Sequence, residues 1–255
     1  NLYEASGQEE EQLNIFKELA QTFKNKAFIS FLIYNFCVIY ITTMIVNFTP
    51  FFTNLFGLSG GAATIILVAI YIGNLITVPI FVFYGSRIES RTIIIYTSAV
   101  CFFGILILFL IDLIFNLTAV YWIILSFDGA LMGLGLFYYP YMSDAIDLDE
   151  LKTQGKRRES MHFGMNALLT KPSENLPAIF GALILAITGY VQGGSATQQP
   201  ITALAGLKFM AAIIPMIMAI VLILSQLINP LKGEFLKQMK NDVLNLHAIK
   251  EGRGK

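Results

Sequence analysis

The sequence has little charge, little histidine and no excess of either sign of charge. Only 13% of its 255 residues are charged, whereas soluble domains average about 25%. Lys and Arg number 17, as do Asp and Glu, so the formal net charge is zero and a large nucleic-acid-binding surface is excluded. The two histidines, His162 and His247, lie outside the apolar core of the chain and belong to no metal-binding motif. These scarcities argue against an enzyme and against a nucleic-acid-binding protein.

Cysteine is equally scarce. The two cysteines, Cys37 and Cys101, both lie in apolar segments. Such residues are usually buried small side chains and seldom parts of a disulfide framework or a metal site. We therefore expect no disulfide, no metal ion and no resident cofactor.

Apolar residues, in contrast, make up 56% of the chain. They form six segments, each close to the ~20 residues that a membrane-spanning helix needs. We number these segments spans 1 to 6, at residues 27–48, 62–83, 93–114, 119–142, 162–188 and 203–228. The pattern predicts an all-α polytopic membrane protein with a six-span domain at residues 27–228. Residues 1–26 are predicted to form a cytoplasmic lead-in helix or linker, and residues 229–255 a cytoplasmic amphipathic tail.

The basic residues indicate how this domain lies in the membrane. Of the 17 Lys and Arg residues, 15 precede span 1, follow span 6, or lie between spans 2 and 3 or spans 4 and 5. The connections at residues 49–61, 112–118 and 189–202 contain none. Because basic loops stay on the cytoplasmic side of a membrane, we expect both termini in the cytoplasm. We expect the plasma membrane as the location.

Polar side chains occur near the middle of four spans, at the depth of the membrane centre. They are Tyr34 and Asn35 in span 1, Tyr71 and Asn74 in span 2, Asp128 in span 4, and Lys171 and Glu174 in span 5. Spans 3 and 6 have no strongly polar residue at that depth. This alternation predicts two three-helix repeats, which build each half of a major facilitator fold with a substrate site near the midplane. Prolines predict interruptions of spans 2, 5 and 6, at Pro79, Pro172, Pro177 and Pro215.

Each of these polar residues has more than one interpretation. Lys171 and Glu174 are three residues apart on one helix face and could neutralise each other. Asn35 and Asn74 could hydrogen-bond between helices, a common use of such residues. Asp128 has no basic residue nearby in its own span, so it is protonated, pairs with Lys171 across the bundle or meets a ligand. We favour the pair or the ligand.

Charged motifs around span 5 carry a resemblance to a known family. The run MSDAIDLDELK at residues 142–152, the run GKRRES at residues 155–160, and Lys171 together resemble the glycoside–pentoside–hexuronide:cation symporters. The run RIESR at residues 87–91 resembles that family's short basic turn between its eighth and ninth helices. The resemblance covers nearly the whole chain. It implies the C-terminal half of a twelve-span transporter, with an N-terminal six-span half as its partner in the same chain or a separate one.

The resemblance also implies roles for individual residues. Lys171 matches a lysine that lies between the sugar and cation sites of the family. Charges that match the cytoplasmic end are expected to lock the inner gate: Asp144, Asp147, Arg157, Arg158 and Glu159, with Arg87 and Arg91 from the basic turn. The expected function is Na⁺- or H⁺-coupled symport of a sugar or related small solute. The alternatives are a lysolipid-type carrier of the same family and a non-transporting six-span scaffold or receptor subunit.

Overall fold

A computed structural model describes residues 23–58, 62–85, 87–153, 155–250 and 252. These residues form helices and turns, and no strand occurs among them. The predicted all-α fold is therefore confirmed. Most of the predicted lead-in segment, residues 1–22, lies outside the described residues.

Nine α-helices follow one another along the described chain. They are α1 (Lys26–Phe52), α2 (Ala63–Gly85), α3 (Ser90–Phe115), α4 (Tyr121–Gly133), α5 (Tyr138–Lys152), α6 (Glu159–Ile187), α7 (Ile201–Lys208), α8 (Ile214–Ile228) and α9 (Gly233–Lys250). A 3-10 turn, Leu134–Phe137, joins α4 to α5, and a π-helical turn, Phe209–Ile213, joins α7 to α8. Spans 1, 2, 3 and 5 are therefore single helices, whereas spans 4 and 6 each contain two helices in line.

Five of these six spans are long and apolar enough to cross a membrane: Lys26–Phe56, Ala63–Gly85, Ser90–Phe115, Thr118–Lys152 and Ile201–Ile228. The sixth, α6, has 29 residues, which is ample length for a crossing. It lies outside that set because polar residues at positions 170–175 lower its mean hydropathy.

The predicted helix interruptions are only partly correct. Both α2 and α6 run continuously through their prolines. Span 6 does depart from α-helical geometry, in the π-helical turn that ends two residues before Pro215. The clearest break lies in span 4, which has no proline at that point but has Gly133 and Gly135 in or beside the 3-10 turn. The Leu134 carbonyl of this turn accepts a hydrogen bond from the Tyr34 hydroxyl, so one polar backbone group of the break is satisfied.

Helix packing follows the pattern that two three-helix repeats predict. Span 1 packs on span 5, and span 4 packs on span 2. Span 1 also packs on span 6, as span 4 does on span 3, and spans 3 and 6 pack on each other. Exchanging spans 1, 2 and 3 for spans 4, 5 and 6 therefore converts the 1–5 contact into 4–2 and the 1–6 contact into 4–3, and leaves the 3–6 contact unchanged. Spans 1 and 4 lie at the centre of the bundle, where most of their residues are buried.

Helix α1 begins at a capped residue. The Asn25 side chain accepts a hydrogen bond from the Ala27 backbone N–H at 3.1 Å, which satisfies one of the free donors at a helix start. Its amide also donates to the Ala145 carbonyl at 2.9 Å. We call the end of the bundle that contains Asn25, the 2–3 and 4–5 connections and α9 the basic end. There α9 packs on α5 and buries Met239 and Val243.

Candidate functional site

Lys171 and Glu174 form an ion pair on the outer surface of α6. The Lys171 Nζ lies 2.7 Å from a Glu174 carboxylate oxygen, and the two side chains are 67% and 44% exposed. Lys171 is twelve residues into the helix, about 18 Å from its start at 1.5 Å per residue. The pair is therefore near the middle of a membrane crossing and is open to whatever surrounds the domain.

The exposure of this pair limits what can cover it. An ionisable side chain at the centre of a bilayer costs roughly 3 kcal/mol or more, so such residues face a bundle interior or a water-filled cavity. Neighbouring Asn175 is also exposed, and its amide donates to the Lys171 carbonyl at 2.9 Å. This polar patch on α6 is unsuited to contact with lipid chains.

Asp128 does not join this patch, and the favoured pairing of Asp128 with Lys171 is wrong for this structure. The Asp128 side chain is fully buried, and neither carboxyl oxygen has a hydrogen-bond partner. It lies beside Cys101 of α3, in the interface that α4 makes with that helix. Lys171 faces outward on α6 and bonds to Glu174 instead. Sequence position placed the two groups at similar depth but could not show on which side of its helix each lies.

The predicted polar residues of span 1 are buried in the bundle. The Asn35 amide donates to the Asn166 side-chain oxygen at 2.9 Å, and the Asn166 amide donates to the Tyr138 hydroxyl at 3.0 Å. This chain of bonds links spans 1, 5 and 4, so Asn35 acts between helices. Asn166 was missed by sequence reasoning, although it lies on the buried side of α6 with residues 170 and 173.

Rings from spans 1 and 4 surround these bonds. Phe31 lies 5.4 Å from Tyr138 and 5.6 Å from Tyr141, and Tyr34 lies 5.3 Å from Tyr141, between ring centroids. Tyr34 is fully buried in this cluster. In this structure it therefore packs within the domain and presents no free surface to a ligand.

The predicted residues of span 2 lie at its surface. Tyr71 is 52% exposed, and Asn74 is half-buried. Between them, Gly73 meets the backbone of α4 so closely that an added Cβ would lie 1.7 Å from the Ser126 carbonyl oxygen. Gly129 of α4 makes the reciprocal contact: a Cβ added there would lie 1.8 Å from the Ile70 carbonyl oxygen. Span 2 is thus held to span 4 by two glycines, neither of which sequence reasoning singled out.

A charge network occupies the basic end. It contains the predicted residues Asp144, Asp147, Arg157, Arg158 and Glu159, together with Asp149, Glu150 and the α9 residues Lys240, His247 and Lys250. Arg157 contacts Asp147, Glu150 and Glu159 at 3.0, 2.9 and 2.5 Å. Its bond to Glu159, followed by that to Glu150, raises the pKa of the Arg157 guanidinium. Arg157 therefore stays charged and holds the loop between spans 4 and 5 to the end of α5.

The other members of the network connect more distant parts of the chain. Arg158 forms two bonds with Asp149, at 2.7 and 3.0 Å. The buried Glu150 carboxylate receives Lys250 at 2.6 Å and His247 at 3.2 Å, and Lys240 lies 3.3 Å from Asp144. Sequence reasoning missed the role of α9 because pairing between residues about a hundred positions apart leaves no local pattern.

Arg87 and Arg91 do not belong to this network, contrary to the grouping predicted from the basic turn. The Arg87 guanidinium lies over the Phe83 ring, 4.9 Å from its centroid. The Arg91 Nε donates to the Gln226 carbonyl at 2.7 Å, at the end of span 6. The 2–3 connection meets α9 through Glu89, which accepts a bond from the Gly233 N–H at 2.8 Å. Arg91 therefore ties the 2–3 connection to the end of span 6, whereas Arg87 packs on its own span.

Six helical spans, with an ion pair exposed at membrane depth and a charge network at one end, make this a polytopic membrane domain. A family model described as MFS/sugar transport protein matches residues 3–232. The match covers most of the chain, so the chain belongs to this family of the major facilitator superfamily (MFS). A comparison with curated proteins finds no match. The chain is therefore a transporter of the MFS kind and not an enzyme, as the sequence predicted.

Proposed function

We propose that this chain forms one half of a secondary active transporter that couples the movement of a sugar, or a related small organic solute, to Na⁺ or H⁺. The exposed Lys171–Glu174 pair carries the proposal. It needs a polar environment at membrane depth, and a substrate cavity between two six-span halves supplies one. The second half belongs to the same chain or to a separate one.

In this proposal Lys171 binds the solute. Its ammonium group can donate up to three hydrogen bonds to hydroxyl or anionic groups, and the Glu174 carboxylate orients it at 2.7 Å. A hydroxyl-rich solute can also donate to that carboxylate. The pair therefore suits sugars, which carry donors and acceptors on adjacent carbons. The charge motifs that resemble the glycoside–pentoside–hexuronide:cation symporters support the same substrate class.

We further propose that the basic end faces the cytoplasm, that the membrane is the plasma membrane, and that the charge network forms the inner gate. The positive-inside rule supports this orientation. Arg157 is 35% exposed and Glu159 51% exposed, so both side chains have surface available for the other half. Alternating access then requires that these contacts form in the outward-facing state and break in the inward-facing one. Cation and solute are coupled when both favour the same state.

Uptake by the full-length protein reconstituted into vesicles tests this function. A panel of labelled mono- and disaccharides, glucuronides and lysophosphatidylcholine is offered under an imposed Na⁺ or H⁺ gradient. We expect gradient-driven uptake of a sugar and its loss in Lys171→Ala. The matched control is Lys237→Ala, which removes another Lys that is paired with a Glu three residues away, Glu234 at 3.0 Å, but lies on α9. If Lys171→Ala takes up sugar as fast as Lys237→Ala does, the proposed role of Lys171 is excluded.

The apolar surface of α2 supports one alternative. Ile72, Leu75 and Ile76 are 47%, 73% and 58% exposed at the depth of Tyr71. An acyl chain could lie along this surface while a headgroup meets Lys171, as in a lysolipid-type carrier. In the same assay, competition by lysophosphatidylcholine but not by sugars would favour this alternative. A domain that transports no member of the panel would favour the non-transporting scaffold.

A further inference from the structure

A small pocket at the basic end lies between the start of span 1 and the end of span 4, apart from the Lys171–Glu174 pair. It has a volume of about 220 Å³ and is lined by Lys24, Asn25, Asp149, Lys152, Thr153 and Arg158. Three of these side chains are cationic and one is anionic. The one carboxylate, that of Asp149, is already bonded to Arg158 at 2.7 and 3.0 Å. The pocket therefore has an excess of positive charge.

The excess comes from Lys24 and Lys152. Within the described part of the chain, neither lysine forms an ion pair, and both are exposed. Lys250, at the same end, differs from them because its Nζ lies 2.6 Å from the buried Glu150 carboxylate. Each ammonium group has three hydrogen-bond donors, and two like charges beside one pocket repel each other. An anion between them would bond to both and remove the repulsion.

The backbone beside the pocket also favours a negative charge. Asn25 is the N-cap of α1, a helix of 27 residues, so the pocket lies at the N-terminus of that helix. The first backbone N–H groups of a helix have no partner within the helix, and their partial positive charge stabilises anions. Helix start and lysines therefore act in the same direction on one small volume.

We propose that this pocket binds a phosphate group, which belongs either to a small soluble phosphate ester or to a phospholipid headgroup. A phosphate carries about one to two negative charges and several acceptor oxygens, so it can bridge two ammonium groups. The pocket is smaller than the roughly 300–1,000 Å³ of sites for drug-sized ligands, which suits a phosphate group and excludes a whole nucleotide. Basic pockets on the cytoplasmic side of membrane proteins bind lipid headgroups in this way. The inference does not depend on the proposed transport function.

A bound phosphate would connect two distant parts of the chain. Lys24 precedes α1, and Lys152 is the last residue of α5. These parts already meet where the Asn25 amide donates to the Ala145 carbonyl at 2.9 Å. A ligand that bonds to both lysines stabilises this contact between the start of span 1 and the end of span 4. Because such a ligand binds the folded protein and not the unfolded chain, it raises Tm.

Thermal unfolding of the full-length protein in a neutral detergent tests the site, with sodium phosphate added at constant ionic strength. We expect a saturable rise in the Tm of the wild type, roughly 2–5 °C, and no such rise in Lys24→Gln or Lys152→Gln. Without phosphate, these two variants should melt at or above the wild-type Tm, because the repulsion between the lysines is lost. The matched control is Lys232→Gln, which removes an exposed lysine of the same end that lies outside the pocket and should leave the rise intact.

A second arm of the experiment distinguishes the two sources of the phosphate. The same proteins are heated with glycerol 3-phosphate, or in mixed micelles that contain phosphatidylglycerol. A rise in Tm with glycerol 3-phosphate alone supports a soluble ester, and a rise with phosphatidylglycerol supports a headgroup, provided that Lys24→Gln and Lys152→Gln abolish it. Phosphate is also an excluded salt that stabilises proteins in general, so an equal rise in all four proteins would overturn the inference. No rise with any of the three phosphate compounds would overturn it as well.

Discussion

Replacing Gly129 by Ala should force spans 2 and 4 apart. The added Cβ would lie 1.8 Å from the Ile70 carbonyl oxygen, whereas ordinary van der Waals contact needs 3.4–4 Å. Ala at Gly73 would meet the Ser126 carbonyl oxygen at 1.7 Å. Both obstacles are backbone atoms of the paired helix, so no side-chain rotation relieves them. The helices must separate by more than an ångström at either site.

The cost follows from the packing that this separation would disturb. Overpacking a core typically costs about 1–3 kcal/mol, and we expect the upper end because backbone must move. Separation also lengthens the bond from the Ser126 hydroxyl to the Ala69 carbonyl, now 2.8 Å. A loss of about 3 kcal/mol corresponds to a Tm decrease of roughly 6–12 °C for a domain of this size.

Thermal stability in detergent measures this loss, as the fraction of protein that remains monodisperse in size-exclusion chromatography after heating. The matched control is Gly164→Ala, because a Cβ at Gly164 of α6 meets nothing within 4 Å. That change should leave Tm unchanged or raise it, since Ala is favoured over Gly in a helix interior by about 0.5–1 kcal/mol. The Gly73→Ala, Gly129→Ala double variant should lose less than the sum, because one separation relieves both clashes. If Gly129→Ala has the same Tm as Gly164→Ala, the close approach of spans 2 and 4 is refuted.

Two further predictions concern buried ion pairs. Asp149→Asn removes the carboxylate that receives two hydrogen bonds from Arg158. This change should destabilise the protein by about 3 kcal/mol, measured as a decrease in Tm. An unchanged Tm would mean that this ion pair contributes nothing to stability. Lys208→Met leaves the Asp112 carboxylate, 5% exposed, without its cation. It should therefore lower Tm more than the double variant Lys208→Met, Asp112→Asn does. A double variant less stable than Lys208→Met alone would contradict this.

The sequence was sufficient to predict the spans because membrane crossing imposes length and hydropathy on each of them. The six predicted segments all coincide with helices, and the charged loops alternate as expected. Even α6, which the polar residues at 170–175 make the least apolar span, was found because the apolar run after Pro177 is long. These properties are local, so they can be observed in one chain without any contacts.

Helix interruption was harder to predict, because the effect of a proline depends on its surroundings. Pro172 removes one backbone N–H donor, yet α6 continues through it. Nearby side chains donate to backbone carbonyls of the same helix: the Ser173 hydroxyl to the Thr170 carbonyl at 2.6 Å and the Asn175 amide to the Lys171 carbonyl at 2.9 Å. Polar side chains and neighbouring helices stabilise such positions in membrane proteins. Span 4 instead breaks at its glycines, where the Tyr34 hydroxyl is available to a backbone carbonyl. Neither outcome is visible in the residue types alone.

The orientation of each helix about its axis was the main property that hydropathy could not supply. When a span is apolar all round, no apolar stripe marks its buried side, so Asp128 and Lys171 could not be assigned to opposite environments. Helix α6 shows which signal remains. From Asn166 to Gly181 its buried residues recur every three or four positions and are small or polar: Asn166, Thr170, Ser173, Pro177 and Gly181. Leu168, Ile179 and Leu183 are exposed.

That stripe is the reverse of what a soluble helix would show. Small residues let membrane helices approach closely, and at Gly181 an added Cβ would lie 2.0 Å from the Phe48 ring of span 1. Glu174 borders this stripe and Lys171 lies further from it, and the two side chains are 44% and 67% exposed. An ionisable pair on the side that the domain does not bury must be covered by something else that is polar. For this reason we propose that the solute cavity lies against the exposed part of α6 that carries this pair.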